Sequence, residues 1–514
     1  MIRYTRHAVL LAGLALAAAA RAQSAPADTS VTPAAGVEAP SVAAEASPAA
    51  PAAPPPPPAP VAPPPDAGRL DEIEQLARIA ARKHELLDEE AAKRAKEAPR
   101  LSVDDKGFSV ALPDRSFQLK FRGLVQADGR FFLDSDALEA NDTFVLRRLR
   151  PSFDGTVFSL VDFRMQPEFA GTVQILDAYV DVHPWEWLRL RVGKMKAPVG
   201  LERLQTDADR VFLEQSLISN LSSQRDVGVQ LWGDIAGGLV HYVIGVFNGA
   251  PDTTAADTDI NHAKDFEGRL FIHPFRTEAL KGLGNLGIGV AAGTGNRKGR
   301  LPTAVAGLPI PSVPAQTGLS PLKTTGQNTF FQYLAPATDT TGAGTVFGHE
   351  RATRINPQLY YYYEGLGLLA EYLWLKQGVQ KGNSTAELTN KAAAVTASFT
   401  IGGRENYDGT TPTAGFDPAK GTLGALILAA RWSWLAVDDA TFSTYANPVA
   451  SARAANAFGG AITWVPRRSA RFAISYEQTR FDGGAGAAAS GMTPAVIADR
   501  PTEHVIIGRT QVSF

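Results

Sequence analysis

From Phe117 to the last residue, apolar and polar positions alternate with a period of two. In residues 117–130, Phe117, Leu119, Phe121, Gly123, Val125 and Ala127 share one face, while Gln118, Lys120, Arg122, Gln126, Asp128 and Arg130 share the other. Residues 144–158 repeat the pattern, with Leu149, Phe153 and Val157 against Arg148, Arg150, Ser152, Asp154 and Thr156. Residues 161–169 set Val161, Phe163 and Met165 against Asp162, Arg164, Gln166 and Glu168. Leu176, Ala178, Val180 and Val182 oppose Asp177, Tyr179 and Asp181, and in residues 187–192 Leu188, Leu190 and Val192 oppose Arg189 and Arg191. A period of two means strands with two unlike faces.

Further segments of this kind lie near 226–236, 238–249, 264–275, 284–296, 349–363, 366–379, 389–402, 423–435, 452–465, 470–481 and 502–514. The total is about sixteen strands, an even number suited to a closed antiparallel barrel in a membrane. A soluble sandwich would bury the apolar face, whereas a transmembrane barrel turns it to lipid and lines its lumen with the polar face.

Connection lengths favour the barrel. Short ones fall at Ser159-Leu160, His183 to Glu186, Ala236-Gly237, Glu364-Gly365 and Pro466 to Ser469, and the long segments 197–225, 250–263, 297–348, 437–451 and 482–501 alternate with them. Short turns at one end and long loops at the other are the habit of outer-membrane barrels. Segment 403–421 is the exception, a long connection on the short-turn side. The chain closes with Ile506, Gly508, Thr510, Val512 and the terminal Phe514 on one face, the form of final strand that barrel-assembly machinery reads. Trp185 with Trp187, Tyr360 to Tyr363, Tyr372 with Trp374, and Trp432 with Trp434 suit aromatic girdles at the membrane interfaces.

Three different compositions precede the strands. Residues 1–22 carry Arg3 and Arg6, an apolar run from Ala8 to Ala20 and the small-residue close Ala20-Arg21-Ala22, which predicts a cleaved signal peptide rather than an anchor helix. Residues 23–66 are rich in Ala, Pro, Ser and Val and unable to build a core, so they form a spacer, either a tolerated tail or a tether to the cell wall. Residues 67–98 form a helix whose Leu70, Ile73, Ala77, Ala80, His84, Leu87 and Ala91 recur at three- and four-residue steps, the seam of a short coiled coil or one face of a single amphipathic helix. Residues 99–514 are the barrel. The fold class is all-β, a transmembrane antiparallel barrel preceded by a short helical coiled-coil segment.

Composition narrows the chemistry. No cysteine is present, which removes thiol nucleophiles, thiolate metal sites and disulfides. A net charge of −2 gives no footprint for nucleic acid. The histidines, among them His241, His273, His349 and His504, show neither metal-ligand spacing nor a Gly-flanked serine nucleophile. No catalytic residue, metal or cofactor is expected, and the protein is read as a non-enzyme.

The stretches 190–202 (LRVGKMKAPVGLE), 225–230 (RDVGVQ), 423–435 (LGALILAARWSWL) and 471–477 (RFAISYE) resemble the phosphate-selective porin family of the O and P type, over approximately residues 100–514. The resemblance implies a homotrimer of sixteen-stranded barrels in the outer membrane, with the loops after the fifth and ninth strands and a long periplasmic turn folded into the pore. It also implies passive passage of small inorganic anions, phosphate or polyphosphate, along a ladder of inward arginines. Here the polar faces supply Lys120, Arg122, Arg148, Arg150, Arg164, Arg189, Arg191, Arg269, Arg354, Arg431, Arg471 and Arg509. Guanidinium groups stay charged and present forked donors to oxyanions, and several weak sites in series let an ion leave as well as enter.

The constriction-loop candidates are Lys194, Lys196, Arg203, Arg210 and Arg225, outnumbered around the loop by Glu202, Asp207, Asp209 and Glu214. By strand parity Lys194 and Lys196 fall with Leu190 and Val192, so that without a bulge they would face outward. The competing reading of the lumen arginines is that they only pair with Asp128, Asp154, Asp162, Asp177, Glu267, Glu371 and Glu477. Two alternatives remain open for function, a general or differently selective pore and a surface barrel used for adhesion.

Overall fold

The computed structural model describes residues 67–105, 107–133, 140–251, 261–276, 282–301, 315–337, 339, 341–487 and 496–514; the expected signal peptide and spacer lie outside them. Helix α1 spans Ala67–Glu97, with Arg94 and Lys96 in its last turn, where cations complement the helix dipole. It leaves Leu70, Ile73, Leu76, Ile79, Leu86 and Leu87 exposed, an apolar face wider than the expected seam. Pro99 follows it, a residue that cannot continue a helix.

The rest is a closed antiparallel barrel of 16 strands. They are β1 Phe117–Phe132, β2 Thr143–Val157, β3 Val161–Glu168, β4 Gln174–Trp185, β5 Leu188–Lys196, β6 Arg225–Ile235, β7 Val240–Phe247, β8 Asp265–Ile272, β9 Leu286–Asn296, β10 Val346–Tyr363, β11 Leu366–Lys381, β12 Ser384–Ile401, β13 Ala425–Ala436, β14 Ala452–Arg467, β15 Ala470–Ala487 and β16 Glu503–Ser513. Each pairs with its neighbours in sequence, and β16 pairs with β1 from Val505↔Phe132 to Ser513↔Leu124. Closure leaves no open edge in the membrane. The start of β1 instead pairs with a hairpin, Arg100–Asp104 and Gly107–Ala111, which the sequence reading missed. Phe514 locks the seam: its N–H donates to the Gly123 carbonyl at 3.0 Å, its carbonyl accepts from the Gly123 N–H at 2.9 Å, and its ring lies over Gly123, where no other residue leaves room.

Outward positions are apolar all round the wall, as at Leu119, Val192, Ile288, Phe458 and Ile474, the arrangement that lipid favours over water. β12 begins at Ser384 rather than near 389, so β11 and β12 join by a two-residue turn on the long-loop side. Bulges break the strict alternation at several places, two of them next to the inserted segment and the lumen arginines. At Gln126↔Arg148 and Ala127↔Leu146, Arg147 is the extra residue of β2. At Gln166↔Asp177 and Pro167↔Ile175, the extra residue is Leu176, which is buried rather than turned outward.

Among the described residues, three connections enter the lumen. Segment 197–224 carries the short helix α2 Leu201–Leu204 and a 3-10 turn at Leu217–Asn220. Segment 297–345 carries a short hairpin, Leu322–Lys323 with Thr329–Phe331. Segment 402–424 carries the hairpin Gly403–Asn406 with Gly409–Pro412. Where the first two meet the wall, the barrel is dry. Leu217, Ile218, Leu221, Phe330 and Phe331 pack against inward Ala352, Leu373, Leu375, Ala392, Ala394 and Leu435. Small alanines on the wall make the space that these inserted side chains fill.

Candidate functional site

Segment 197–224 reaches opposite walls of the barrel. On one side the Gly200 N–H donates to Asn356 Oδ1 at 3.0 Å, and the Leu201 and Glu202 N–H groups donate to the two carboxylate oxygens of Glu371 at 2.8 and 3.1 Å. A carboxylate is well suited to the unsatisfied donors of a helix start. On the other side Gln126 Nε2 and Gln511 Nε2 donate to the carbonyls of Asp207 and Ala208 at 3.1 and 2.9 Å.

The four carboxylates of this segment are each met by arginine. Asp207 binds Arg150, lies 3.4 Å from Arg148 Nε and 2.6 Å from Arg210 Nη2. Asp209 lies 3.2 Å from Arg471. Glu214 receives Arg147 at 2.6 and 2.9 Å, Arg509 at 3.0 Å and Arg130 at 3.3 Å. Glu202 lies 3.3 Å from Arg431, whose other amino group is 2.6 Å from Glu477. Burial raises the affinity of Asp207 for a proton, but Arg148, Arg210 and Arg150 outweigh it and hold the carboxyl well below its usual range. Glu214 behaves likewise, with Arg147, Arg148 and Arg509 overcoming burial.

The twelve inward cations expected from the alternation all point to the interior, and they divide by environment. Arg148, Arg150, Arg431, Arg471 and Arg509 hold the inserted segment as above. Arg354 donates to Ser223 Oγ at 2.8 Å at the segment's exit. Arg122 and Arg164 flank Asp154 at 2.5 and 2.6 Å, and Arg191 lies 2.6 Å from Asp181. Lys120, Arg189 and Arg269 make no ion pair with a carboxylate among the described residues. Arg189 lies over the Trp232 ring, 4.7 Å from its centroid; Arg269 lies 4.3 Å over Phe271 and donates to Gln358 at 2.8 Å.

The constriction-loop candidates meet the loop and the wall in different ways. Lys196 does not face outward, because the end of β5 turns into the lumen. Its ammonium donates to the carbonyls of Arg203, Leu204 and Gln205 at 2.8, 3.3 and 2.6 Å. Lys194 is buried rather than exposed to lipid. Arg225 pairs with Asp177 at 2.8 Å, and Arg203 donates to the Ser219 carbonyl at 3.4 Å. Arg147 was missed by the alternation because the bulge turns two successive residues inward. Nothing in the sequence marked Tyr407, which bridges two inserted segments.

Towards the short-turn end the lumen opens into a cavity of about 1120 Å³, lined among others by Lys120, Arg122, Arg164, Arg189, Arg191 and Arg269, with Tyr179 and Trp232 between them. Basic side chains outnumber carboxylates in its lining. Arg191 sits 4.4 Å from the centroid of Tyr179 and 4.8 Å from that of Trp232, so rings hold its planar group in place while Asp181 balances its charge.

Residues 117–298, from β1 to just beyond β9, match the profile of the family described as phosphate-selective porin O and P. No curated protein matches the chain. Solved structures similar to it include the outer-membrane channel DcaP of Acinetobacter baumannii, at 10% identity over 78% of this chain and 98% of that one, with a TM-score of 0.46. An anion-selective porin from Comamonas acidovorans has 8% identity over 77% and 100%, with a TM-score of 0.46. The trimer form of OmpT from Vibrio cholerae has 10% identity over 78% and 100%, with a TM-score of 0.43.

Proposed function

We propose that the chain is an outer-membrane porin that passes small inorganic anions, with phosphate or polyphosphate the preferred class. The observation that carries this reading is the short-turn cavity, where basic side chains outnumber carboxylates and Lys120, Arg189 and Arg269 make no ion pair among the described residues. The arginines that anchor the inserted segment have their charge balanced locally and contribute less to the field. Steering an anion through a low-dielectric tube requires uncompensated charge, and a few weak oxyanion sites in series allow release. The family match over β1 to β9 supports the phosphate class.

The same reading takes residues 1–22 as a cleaved signal peptide, α1 as a periplasmic coiled coil, the barrel as a homotrimer in outer-membrane lipid, and Phe514 as part of the signal read by the assembly machinery. A pore without phosphate preference is the second reading, favoured by the many lumen arginines already paired with carboxylates.

Purified protein in a planar bilayer tests both. The double variant Arg189→Ala/Arg269→Ala is expected to shift the reversal potential towards cations, most clearly at low salt, where the Debye length is about 30 Å at 0.01 M. Phosphate block of chloride current should weaken in the same variant. An unchanged reversal potential removes anion guidance, a shift in a channel whose chloride current phosphate does not specifically block leaves the second reading, and a wild-type protein that does not conduct leaves a surface adhesin.

A further inference from the structure

We propose that Tyr407 is the positioning residue that sets the width of the constriction, by clamping the segment that enters from the long-loop end against a hairpin that enters from the short-turn end. The inference rests on the reading of the protein as a channel.

Tyr407 sits at the tip of the hairpin formed by Gly403–Asn406 and Gly409–Pro412. The first strand of that hairpin is fixed to the wall near its tip, since Ser398 and Thr400 on β12 donate to the two carboxylate oxygens of Glu405 at 2.8 and 2.9 Å. Its tip is fixed too. The Tyr407 ring stacks on Tyr360 of β10, with centroids 5.0 Å apart and planes 17° apart, and Tyr360 is itself backed by Phe271 at 5.0 Å. From this fixed ring the hydroxyl donates to the Leu201 carbonyl at 2.7 Å, and the Tyr407 carbonyl accepts from Gln205 Nε2 at 3.0 Å.

The hairpin backbone at Gly409 also lies against the Asp209 side chain. A Cβ built on Gly409 would lie 2.8 Å from Asp209 Cβ, so the hairpin passes the loop only because that position is glycine. Residues 201–209 are therefore held from two sides. Arg148, Arg150 and Arg471 pull Asp207 and Asp209 to one wall, and Tyr407 fixes Leu201 and Gln205 from the other. The other flank is held at the wall by Asn356 and Glu371 on the N–H groups of residues 200–202 and by Lys196 on the carbonyls of residues 203–205, and Tyr407 adds the contact that ties it to the second insert.

Single-channel recording of three variants tests this. Tyr407→Ala removes the ring and its bonds and should raise conductance and weaken ion selectivity. Tyr407→Phe keeps the stacked ring and loses one hydrogen bond, which should raise the released population of the loop roughly fivefold and appear as added current noise. Gln205→Ala removes the second contact without touching the hairpin and should change the current in the same direction, which guards against misfolding of the Tyr407 variants. A tyrosine that only fills space would lower thermal stability and leave the open-channel current unchanged. Assembled variants with wild-type conductance, noise and selectivity overturn the proposal, whereas a wild-type protein that does not conduct overturns the channel reading itself.

Discussion

Arg431 and Glu477 form an ion pair across a strand that lies between them. Arg431 is on β13, Glu477 on β15, and Nη2 is 2.6 Å from Oε2 with both side chains almost fully buried. The residue beneath, on β14, is Gly459, paired with both. A Cβ there would come 2.9 Å from Glu477 Oε2 and 3.2 Å from the Phe212 ring, over which the Arg431 guanidinium sits at 4.1 Å. The glycine makes room for a contact between second-neighbour strands.

That contact should matter for stability more than for ion flow. Arg431→Met leaves Glu477 and Glu202 without their arginine, and removing one partner of a buried pair costs about 3–5 kcal/mol. Gly459→Val should act in the same direction by pushing the pair apart. Urea unfolding of the purified barrel reads both, and an unchanged midpoint would show that water replaces the pair at little cost.

Arg148 and Arg150 both hold Asp207, so their joint replacement by glutamine should free one flank of segment 197–224. Limited proteolysis in mild detergent should then cut this segment in the double variant and not in Arg189→Ala/Arg269→Ala, whose residues touch none of its carboxylates. Equal resistance in the two would mean that the remaining contacts, those of Arg147, Arg431, Arg471 and Arg509 included, suffice to hold the loop.

Acid should release the loop only late. Asp207 and Glu214 have their docked-state pKa values depressed by the surrounding arginines. A depressed carboxylate stabilises the docked state above its free value and loses that contribution as pH falls through the docked one. Protease resistance of segment 197–224 should therefore stay level from neutral pH down to about 4, the ordinary carboxylate range, and fall only below it. A transition centred near about pH 6 would show that the ion pairs of Asp207 and Glu214 are not what holds the segment.

Deleting residues 67–98 should leave a barrel trimer that resists mild extraction but dissociates at a lower temperature, because the exposed apolar face of α1 offers a coiled-coil seam in addition to the barrel contacts. Semi-native electrophoresis across a temperature series distinguishes this from a truncated protein that runs only as monomer, which would make α1 the organiser.

The sequence alone determined the barrel, because a strand must show one face to lipid and one to the interior, and that demand writes a period of two into every wall segment. Lys120, Arg189 and Arg269 were legible as inward cations for the same reason, and so was the long segment on the short-turn side. Strand parity failed where the backbone departs from it. A single extra residue, Arg147, turns the pair Arg147-Arg148 inward together, and the inward turn at the end of β5 brings Lys196 onto three loop carbonyls. No local pattern records which inward arginine meets a carboxylate from an inserted loop, since Arg431 and Glu202 are brought together only when the loop crosses the lumen. The division of the arginines into anchors and uncompensated cations, and the meeting of Tyr407 with Leu201, are likewise products of the closed barrel, because inserts from opposite ends share one interior only after the last strand has paired with the first.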